Sequence, residues 1–158
     1  MKIRHVLLAS VLNTSMVTAN AQDAHTQHHQ PAQDSRVILE LSPDERAMIL
    51  EEMRLFLDGV QIMTGALAKP DMATAAEAAR GMGQKMVHEL PPALRAKLPQ
   101  EFRQHGFSVH REFDQIALDA DSLKDVSYSL NQLSDTLKKC VNCHATYQIQ
   151  TSVTKDTH

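Results

Sequence analysis

The chain has 158 residues, with 16 Lys and Arg against 19 Asp and Glu and a formal net charge of −3 at neutral pH. This weakly acidic balance argues against nucleic acid or an anionic membrane as a partner. Five glycines, no tryptophan and few runs of β-branched residues predict an all-α chain, and the length suits a single domain with one core.

The first 21 residues are typical of an export signal. Lys2 and Arg4 give a basic start, a mostly apolar run follows, and a small-x-small cleavage sequence ends at Ala21. Polar residues interrupt the run, which falls short of the roughly 20 apolar residues that a membrane span needs. We therefore predict a cleaved signal peptide at residues 1–21, a mature chain that starts at Gln22, and a soluble periplasmic protein without membrane insertion. Cleavage leaves 14 basic residues against 19 acidic ones.

Residues 22–36 are rich in His and Gln and lack an apolar period, which predicts a flexible lead-in. The histidines of this stretch are metal-ligand types, but a polar tail that happens to contain histidines is the favoured interpretation. Residues 37–150 carry helical periodicity and are predicted to form the folded domain, followed by a polar tail at residues 151–158.

The first helix of the domain has a clear N-terminal signal. Ser42 is placed as the N-cap, Pro43 as the first helical residue and Glu45 as the partner in a capping box. Apolar residues then alternate at spacings of four and three, which is the period of a helix in a bundle. This stripe comprises Ile49, Met53, Phe56, Val60, Met63 and Leu67.

Two more helices follow with the same alternation. Asp71 is predicted to cap the second helix and Pro99 to start the third. Gly106 lies on the stripe of the third helix and is interpreted as the mark of a close approach by a partner helix or a macrocycle. His105 and His110 flank that stripe and are expected to be partly exposed and hydrogen-bonded. The stripes comprise Met72, Ala75, Ala79, Met82 and Met86 in the second helix, and Phe102, Gly106, Val109, Phe113, Ile116 and Ala120 in the third.

The fourth helix carries a Cys-x-x-Cys-His motif close to its end. Asp121 or Ser122 is predicted to cap this helix. Because its apolar stripe runs into the motif, Cys140 and His144 are expected on the inward face, with Cys143 at the edge of that face. The stripe comprises Leu123, Val126, Leu130, Leu133, Leu137, Cys140, His144 and Tyr147.

The motif predicts covalent attachment of one haem c. Thiols at positions i and i+3 each form a thioether to a haem vinyl group, and the adjoining His144 ligates the iron. A zinc site would need further ligands at short spacing, and Cys140 and Cys143 are the only cysteines of the chain. A thioredoxin-like redox pair would need a βαβ context, and a disulfide between these two helical positions would be strained. Haem is therefore favoured over these alternatives.

Four such helices, an export signal and this motif in the last helix resemble the cytochrome c-prime family, including its low-spin, methionine-ligated relatives. The resemblance covers about Leu41 to Gln150 and implies an antiparallel, up-down-up-down four-helix bundle with His144 as the proximal ligand. The family motif continues with an aromatic residue, here Tyr147, and an arginine, which is replaced here by Gln148. In the family that arginine helps to neutralise a haem propionate. Unranked candidates for its role in this chain are Arg46, Arg54 and Lys139.

The resemblance also implies a distal ligand. Aligning the first helices on Met63 puts Met53 where low-spin relatives hold a methionine and high-spin relatives a nonpolar residue. With His144 and Met53 on the iron, we expect a single-electron carrier with redox proteins as partners, and no enzyme. The alternative is a five-coordinate, high-spin protein that binds or scavenges nitric oxide or carbon monoxide. A peroxidase is disfavoured because the stripe offers no acid–base group near Met53.

Many relatives pair through their first two helices, so a homodimer is a further expectation. Met48, Leu50 and Leu57 lie off the main stripe of the first helix. They would supply an outer apolar face for such a pair or pack at the edge of the core.

Overall fold

The computed structural model describes residues 33–87 and 90–151. The predicted signal peptide, the histidines of the lead-in and residues 152–158 lie outside this part of the chain, so what was predicted for them stays a prediction. The described residues from Ser35 onward belong to one compact unit. None of the helices among the described residues is long and apolar enough to cross a membrane.

The fold is mostly helical, as predicted, but it also contains a small parallel sheet that the sequence analysis did not anticipate. The second helix is much shorter than its neighbours, and two brief helices connect it to the third long one. The elements in chain order are β1 (Val37–Leu41), α1 (Pro43–Leu67), α2 (Met72–Gly81), α3 (Gln84–Val87), α4 (Pro92–Lys97), α5 (Gln100–Leu123), α6 (Val126–Thr146) and β2 (Tyr147–Thr151).

The predicted start of α1 is confirmed in detail. The Glu45 backbone N–H donates to Ser42 Oγ at 3.3 Å, and the Ser42 backbone N–H donates to Glu45 Oε2 at 2.9 Å. These two bonds form the capping box, in which each residue satisfies an N–H that the helix leaves unpaired. The predicted cap of α2 is also confirmed, because Asp71 Oδ1 accepts the Thr74 backbone N–H at 3.1 Å.

The start of α6 differs from the prediction. α5 continues to Leu123, so Asp121 and Ser122 lie inside that helix and cannot cap the next one. Lys124 takes a left-handed conformation with φ of 52°, which ends α5. Asp125 is the cap of α6, with its Oδ1 accepting the Tyr128 backbone N–H at 3.0 Å.

The parallel sheet joins the two ends of the helical domain. Its register sets Val37 beside Tyr147 and Leu41 beside Thr151. Alternate residues of β1, Leu39 and Leu41, are buried in a small core with Ile49, as the period of two along a strand requires. Since β1 precedes α1 and β2 follows α6 directly, the sheet ties the end of α6 to the start of α1.

The main core lies where α2 packs between α1 and α5. Ala75, Ala76 and Ala79 of α2 are fully buried there, which lets the helix backbones approach closely. Gly59 of α1 lies directly against the buried side chain of Met82. The core comprises Met63, Ala66, Leu67, Met72, Ala75, Ala76, Ala79, Met82, Val109, Phe113, Ile116, Ala117, Ala120 and Leu133.

The last two long helices run antiparallel. Asp119 of α5 accepts a hydrogen bond from Gln132 near the start of α6, whereas Glu112, earlier in α5, pairs with Lys139 later in α6. The long helices therefore pack in chain order, with α6 against α5. The described residues show no extended interface between α6 and α1, which is the contact that would close a four-helix bundle.

The predicted inward face of α6 is only partly correct. Leu133 is buried as expected, but Leu130 is 45% exposed and Leu137 is 36% exposed. Ser129 and Thr136 are buried instead. The physical reason is that α6 rests on α5 through small polar residues, so its contact face is turned away from the line of leucines.

The close contact between Gly59 and Met82 gives a first prediction. A Cβ at position 59 would lie 2.6 Å from Met82 Sδ and 2.7 Å from its Cγ, so Gly59→Ala should destabilise the domain by about 1 to 2 kcal/mol despite the better helix propensity of alanine. Gly65→Ala, in the same helix, meets no atom closer than 3.9 Å and should stabilise it by up to about 1 kcal/mol. Urea unfolding measures the free energy of unfolding of both variants. Equal changes in the two variants would contradict the close contact between Gly59 and Met82.

Candidate functional site

The Cys-x-x-Cys-His motif occupies the last turns of α6, immediately before β2. Cys140 and Cys143 are both half-buried and carry free thiols. Because they are three residues apart on a helix, they lie on neighbouring turns of one face. His144 is exposed, which corrects the expectation that it lies on the buried face. The motif therefore presents a solvent-accessible imidazole next to two partly buried thiols.

The surroundings keep both thiols protonated at neutral pH. Burial raises the pKa of Cys140 above its ordinary value, and the negative charge of Glu112 raises it further. Burial also raises the pKa of Cys143, with a smaller contribution from Cys140. The Cys140 thiol lies 3.8 Å from the Thr136 carbonyl oxygen and donates to it. Because a metal cation binds the thiolate form of cysteine, the raised pKa values disfavour a free cation at these two thiols.

Three side chains of α5 hold the motif end of α6 in place. His105 donates from Nε2 to the Lys139 carbonyl oxygen at 2.8 Å, since a carbonyl can only accept. The Lys139 ammonium donates to Ser108 Oγ at 3.0 Å and pairs with Glu112 at 2.5 Å. Lys139, one of the cations suggested by the sequence for a haem carboxylate, is therefore already committed to α5.

A cation that the sequence analysis assigned to the lead-in lies beside the motif. Arg36 donates from Nη1 to the His144 carbonyl oxygen at 3.2 Å. The Gln148 side chain donates from Nε2 to the Arg36 carbonyl oxygen at 3.3 Å. The pairing of β1 with β2 thus places a guanidinium next to the motif, and no local sequence signal could have shown this.

A second polar group lies between α1 and α5. His110 is only 4% exposed, which corrects the expectation that it is partly exposed. Its Nδ1 lies 2.8 Å from the Met82 carbonyl oxygen, and its Nε2 lies 3.1 Å from Glu52 Oε1. The Phe56 ring packs against the imidazole with a centroid distance of 4.8 Å.

The glutamate of the buried pair lies close to Met53 in the chain but not on the apolar stripe that carries it. Glu52 directly precedes Met53 in the chain. On a helix, successive residues point about 100° apart, so Met53 lies on a different edge of α1 from Glu52 and is itself half-buried. The structure places Met53 on α1 and the motif on α6, two helices without an extended interface in the described chain. It therefore does not bring Met53 and His144 together as a closed site.

A cavity of about 700 Å³ opens beside the Glu52–His110 pair. On α5 it is lined by one face that includes Gly106, Phe107 and His110, whereas the contacts to α6 come from another face. A Cβ on Gly106 would meet no atom within 4 Å, so this glycine does not mark the close approach of a partner helix. The cavity therefore lies on one side of α5, and α6 with its two cysteines lies on another side of that helix.

The carboxylate of Glu112 gives a second prediction. In the chain produced without haem, Glu112→Gln removes a negative charge near Cys140 and so lowers the pKa of that thiol. More thiolate is then present at pH 8, and alkylation of Cys140 by iodoacetamide should become severalfold faster. Cys143 serves as the internal control, because its pKa is raised by burial and by Cys140. Peptide mapping measures both rates; equal acceleration of the two thiols would contradict the prediction.

Among residues 33–87 and 90–151, no group of three or more His, Cys, Asp or Glu side chains is arranged to hold a metal ion. Comparison of the chain with protein-family models, with curated proteins and with solved structures finds no match. The assignment of a function therefore depends on the residues of the site themselves.

Proposed function

We propose that this chain is an exported, periplasmic c-type cytochrome that holds one haem covalently and carries single electrons. The observation that carries the proposal is the pair of half-buried, free thiols of Cys140 and Cys143 on neighbouring helical turns, with the exposed imidazole of His144 beside them. The bound haem would supply a one-electron iron centre. Cys140 and Cys143 would hold it through two thioethers, and His144 would ligate the iron.

The apolar surface next to the motif fits a macrocycle. Leu137 is 36% exposed and Val141 is 70% exposed, both within one turn of Cys140. On α1, Leu57 is 72% exposed. Leu137 and Val141 are four residues apart and therefore neighbours on the surface of α6, where a flat apolar macrocycle would cover them. We infer that the macrocycle occupies the space between α6 and α1, and that α1, α2, α5 and α6 then form an antiparallel four-helix bundle around it.

Met53 is proposed as the second axial ligand. α1 contacts α2 through the edge that includes Gly59, and Met53 lies on a different edge of that helix. Its thioether sulfur favours reduced iron. With His144 and Met53 both coordinated, no position on the iron remains open to an external ligand, which suits electron transfer better than gas binding.

Arg36 is proposed as the partner of a haem carboxylate. The Arg36 guanidinium donates from Nη1 to the carbonyl oxygen of His144, the residue proposed to ligate the iron, at 3.2 Å. A guanidinium at this place would bind a haem carboxylate by charge-assisted hydrogen bonds. In this chain Gln148, at the position of the family arginine, binds the Arg36 backbone.

Removing the thiols tests covalent attachment. Cys140→Ala and Cys143→Ala should each leave one thioether and weaken the haem stain on a denaturing gel, and the double variant should abolish it. His144→Ala should keep the stain, because both thioethers remain, but should change the visible spectrum. Ser127→Ala, at an exposed position of α6, is the control and should stain like the wild type. A stained double variant would refute covalent attachment through this motif.

The absorption spectrum of the holoprotein tests the axial ligand. With Met53 on the iron, the wild type should be low-spin and indifferent to carbon monoxide, whereas Met53→Ala should be high-spin and bind carbon monoxide. Met48→Ala, an exposed position in the same helix, should leave the spectrum unchanged. A wild type that is already high-spin and binds carbon monoxide would contradict Met53 as the ligand and make gas binding the leading function.

The midpoint potential tests the role of Arg36. Arg36→Gln removes a positive charge close to the iron, so the oxidised form becomes easier to reach and the potential should fall. Arg54→Gln removes the same charge from an exposed ion pair on α1 and should have a smaller effect, because solvent screens exposed charges. Redox titration of both holoproteins gives the comparison. Equal shifts would contradict a specific contact between Arg36 and the haem.

A further inference from the structure

We infer that Glu52 and His110 are positioning residues that fix the rotation of α1 and thereby aim Met53 at the iron. The inference rests on the proposed function, since it concerns the ligand of the proposed haem. Neither residue would touch the haem in this account. They act through the helix that bears Met53.

The hydrogen bonds of His110 make it a bridge between three elements. A backbone carbonyl only accepts, so the Nδ1 atom that faces the Met82 oxygen at 2.8 Å must carry a hydrogen. The opposite nitrogen then shares one hydrogen with Glu52 Oε1 across 3.1 Å. The bridge therefore links α1, α5 and the residue that follows α2.

Burial makes this bridge selective for one arrangement. The side chains of His110 and Glu52 are only 5% and 11% exposed, and a buried polar group that loses its partner is destabilising because water cannot replace that partner. The Phe56 ring, one turn after Glu52, packs against the imidazole at 4.8 Å and against the Phe113 ring at 5.7 Å. Turning α1 about its axis would break the hydrogen bond and both ring contacts together.

The Glu52–His110 bridge contacts α1 at a level where α2 no longer packs against that helix. α2 ends at Gly81, so the alanine-rich packing that fixes the C-terminal half of α1 does not extend beyond this level. There α1 borders the cavity of about 700 Å³, with Ile49 and Glu52 in its wall, and Ile49 is also buried in the small core with Leu39 and Leu41. Between that small core and the main core, the Glu52–His110 bond and the Phe56 ring are the contacts that join α1 to α5. The bond therefore fixes α1 at the residue next to Met53.

A metal ligand has to be held within a fraction of an ångström of its productive position. Met53 has three rotatable side-chain bonds, so its own packing defines the sulfur position poorly. A rotation of α1 displaces this side chain directly. Loss of the bridge should thus weaken the bond between sulfur and iron without affecting the thioethers at Cys140 and Cys143.

The test uses the visible spectrum and carbon monoxide binding of the exported holoprotein. Glu52→Ala should lose a substantial part of the low-spin spectrum and gain carbon monoxide binding, while the haem stain stays at the wild-type level. Glu52→Gln keeps a donor to the His110 nitrogen and should retain the wild-type spectrum. Glu51→Ala, which breaks only an exposed ion pair with Arg54, is the matched control and should also retain it.

A second variant separates positioning from stability. The double variant Glu52→Leu, His110→Phe removes both members of the ion pair, and such apolar replacements are often neutral or stabilising. Only the Met82 carbonyl oxygen loses a partner. This double variant should still unfold cooperatively in urea and show weakened methionine ligation. A wild-type low-spin spectrum in the folded double variant would overturn the inference, as would an unchanged spectrum in Glu52→Ala.

Failure of the inference is distinguishable from failure of the proposed function. If Met53→Ala alters the spectrum and the Glu52 and His110 variants do not, Met53 is the ligand and the positioning role is wrong. If Met53→Ala leaves the spectrum unchanged, the axial assignment fails and the inference is overturned with it. A preparation without covalent haem overturns both.

Discussion

The short length of α2 is the constraint on which the rest of the structure depends. α2 has ten residues, whereas α1, α5 and α6 have 25, 24 and 21. Where α2 is present, buried alanines bring the helices into close contact and make a continuous core. Beyond its end, the same long helices continue without it. The domain thus has a closely packed half and a more open half, and the motif lies in the open one.

Several separate interactions support the open half. The sheet of β1 and β2 ties the end of α6 to the start of α1, and the Lys139–Glu112 pair fixes α6 on α5. The His110–Glu52 bond fixes α1 on α5. The sheet and the Lys139–Glu112 pair lie beside the motif, whereas the His110–Glu52 bond fixes the helix that bears Met53. Helices that are already fixed before the cofactor binds lose less conformational entropy on binding.

Local signals in the sequence predict the mostly helical class and the first two helix caps, whereas the sheet and the buried face of α6 depend on long-range contacts. The start of α1 and the caps at Ser42 and Asp71 follow from neighbouring residues, and they are confirmed. The buried face of α6 depends on which helix it contacts, so a stripe of leucines alone did not predict it. The burial of His110 depends on Glu52, 58 residues away, and the place of Arg36 depends on His144, 108 residues away. The spacing of the two cysteines and the histidine is enough to identify the motif. The residues that surround the motif are known only from the three-dimensional structure.

The intact mass of the protein purified from the periplasm tests the central claim most directly. The account predicts the mass of the chain from Gln22 to His158 plus one haem, with the added mass on the peptide that contains Cys140 and Cys143. Each thiol hydrogen should be retained in the adduct, because thioether formation adds the S–H bond across a vinyl group. A chain with two free thiols or an internal disulfide, and no added mass after expression in a host that attaches haem c, would contradict it.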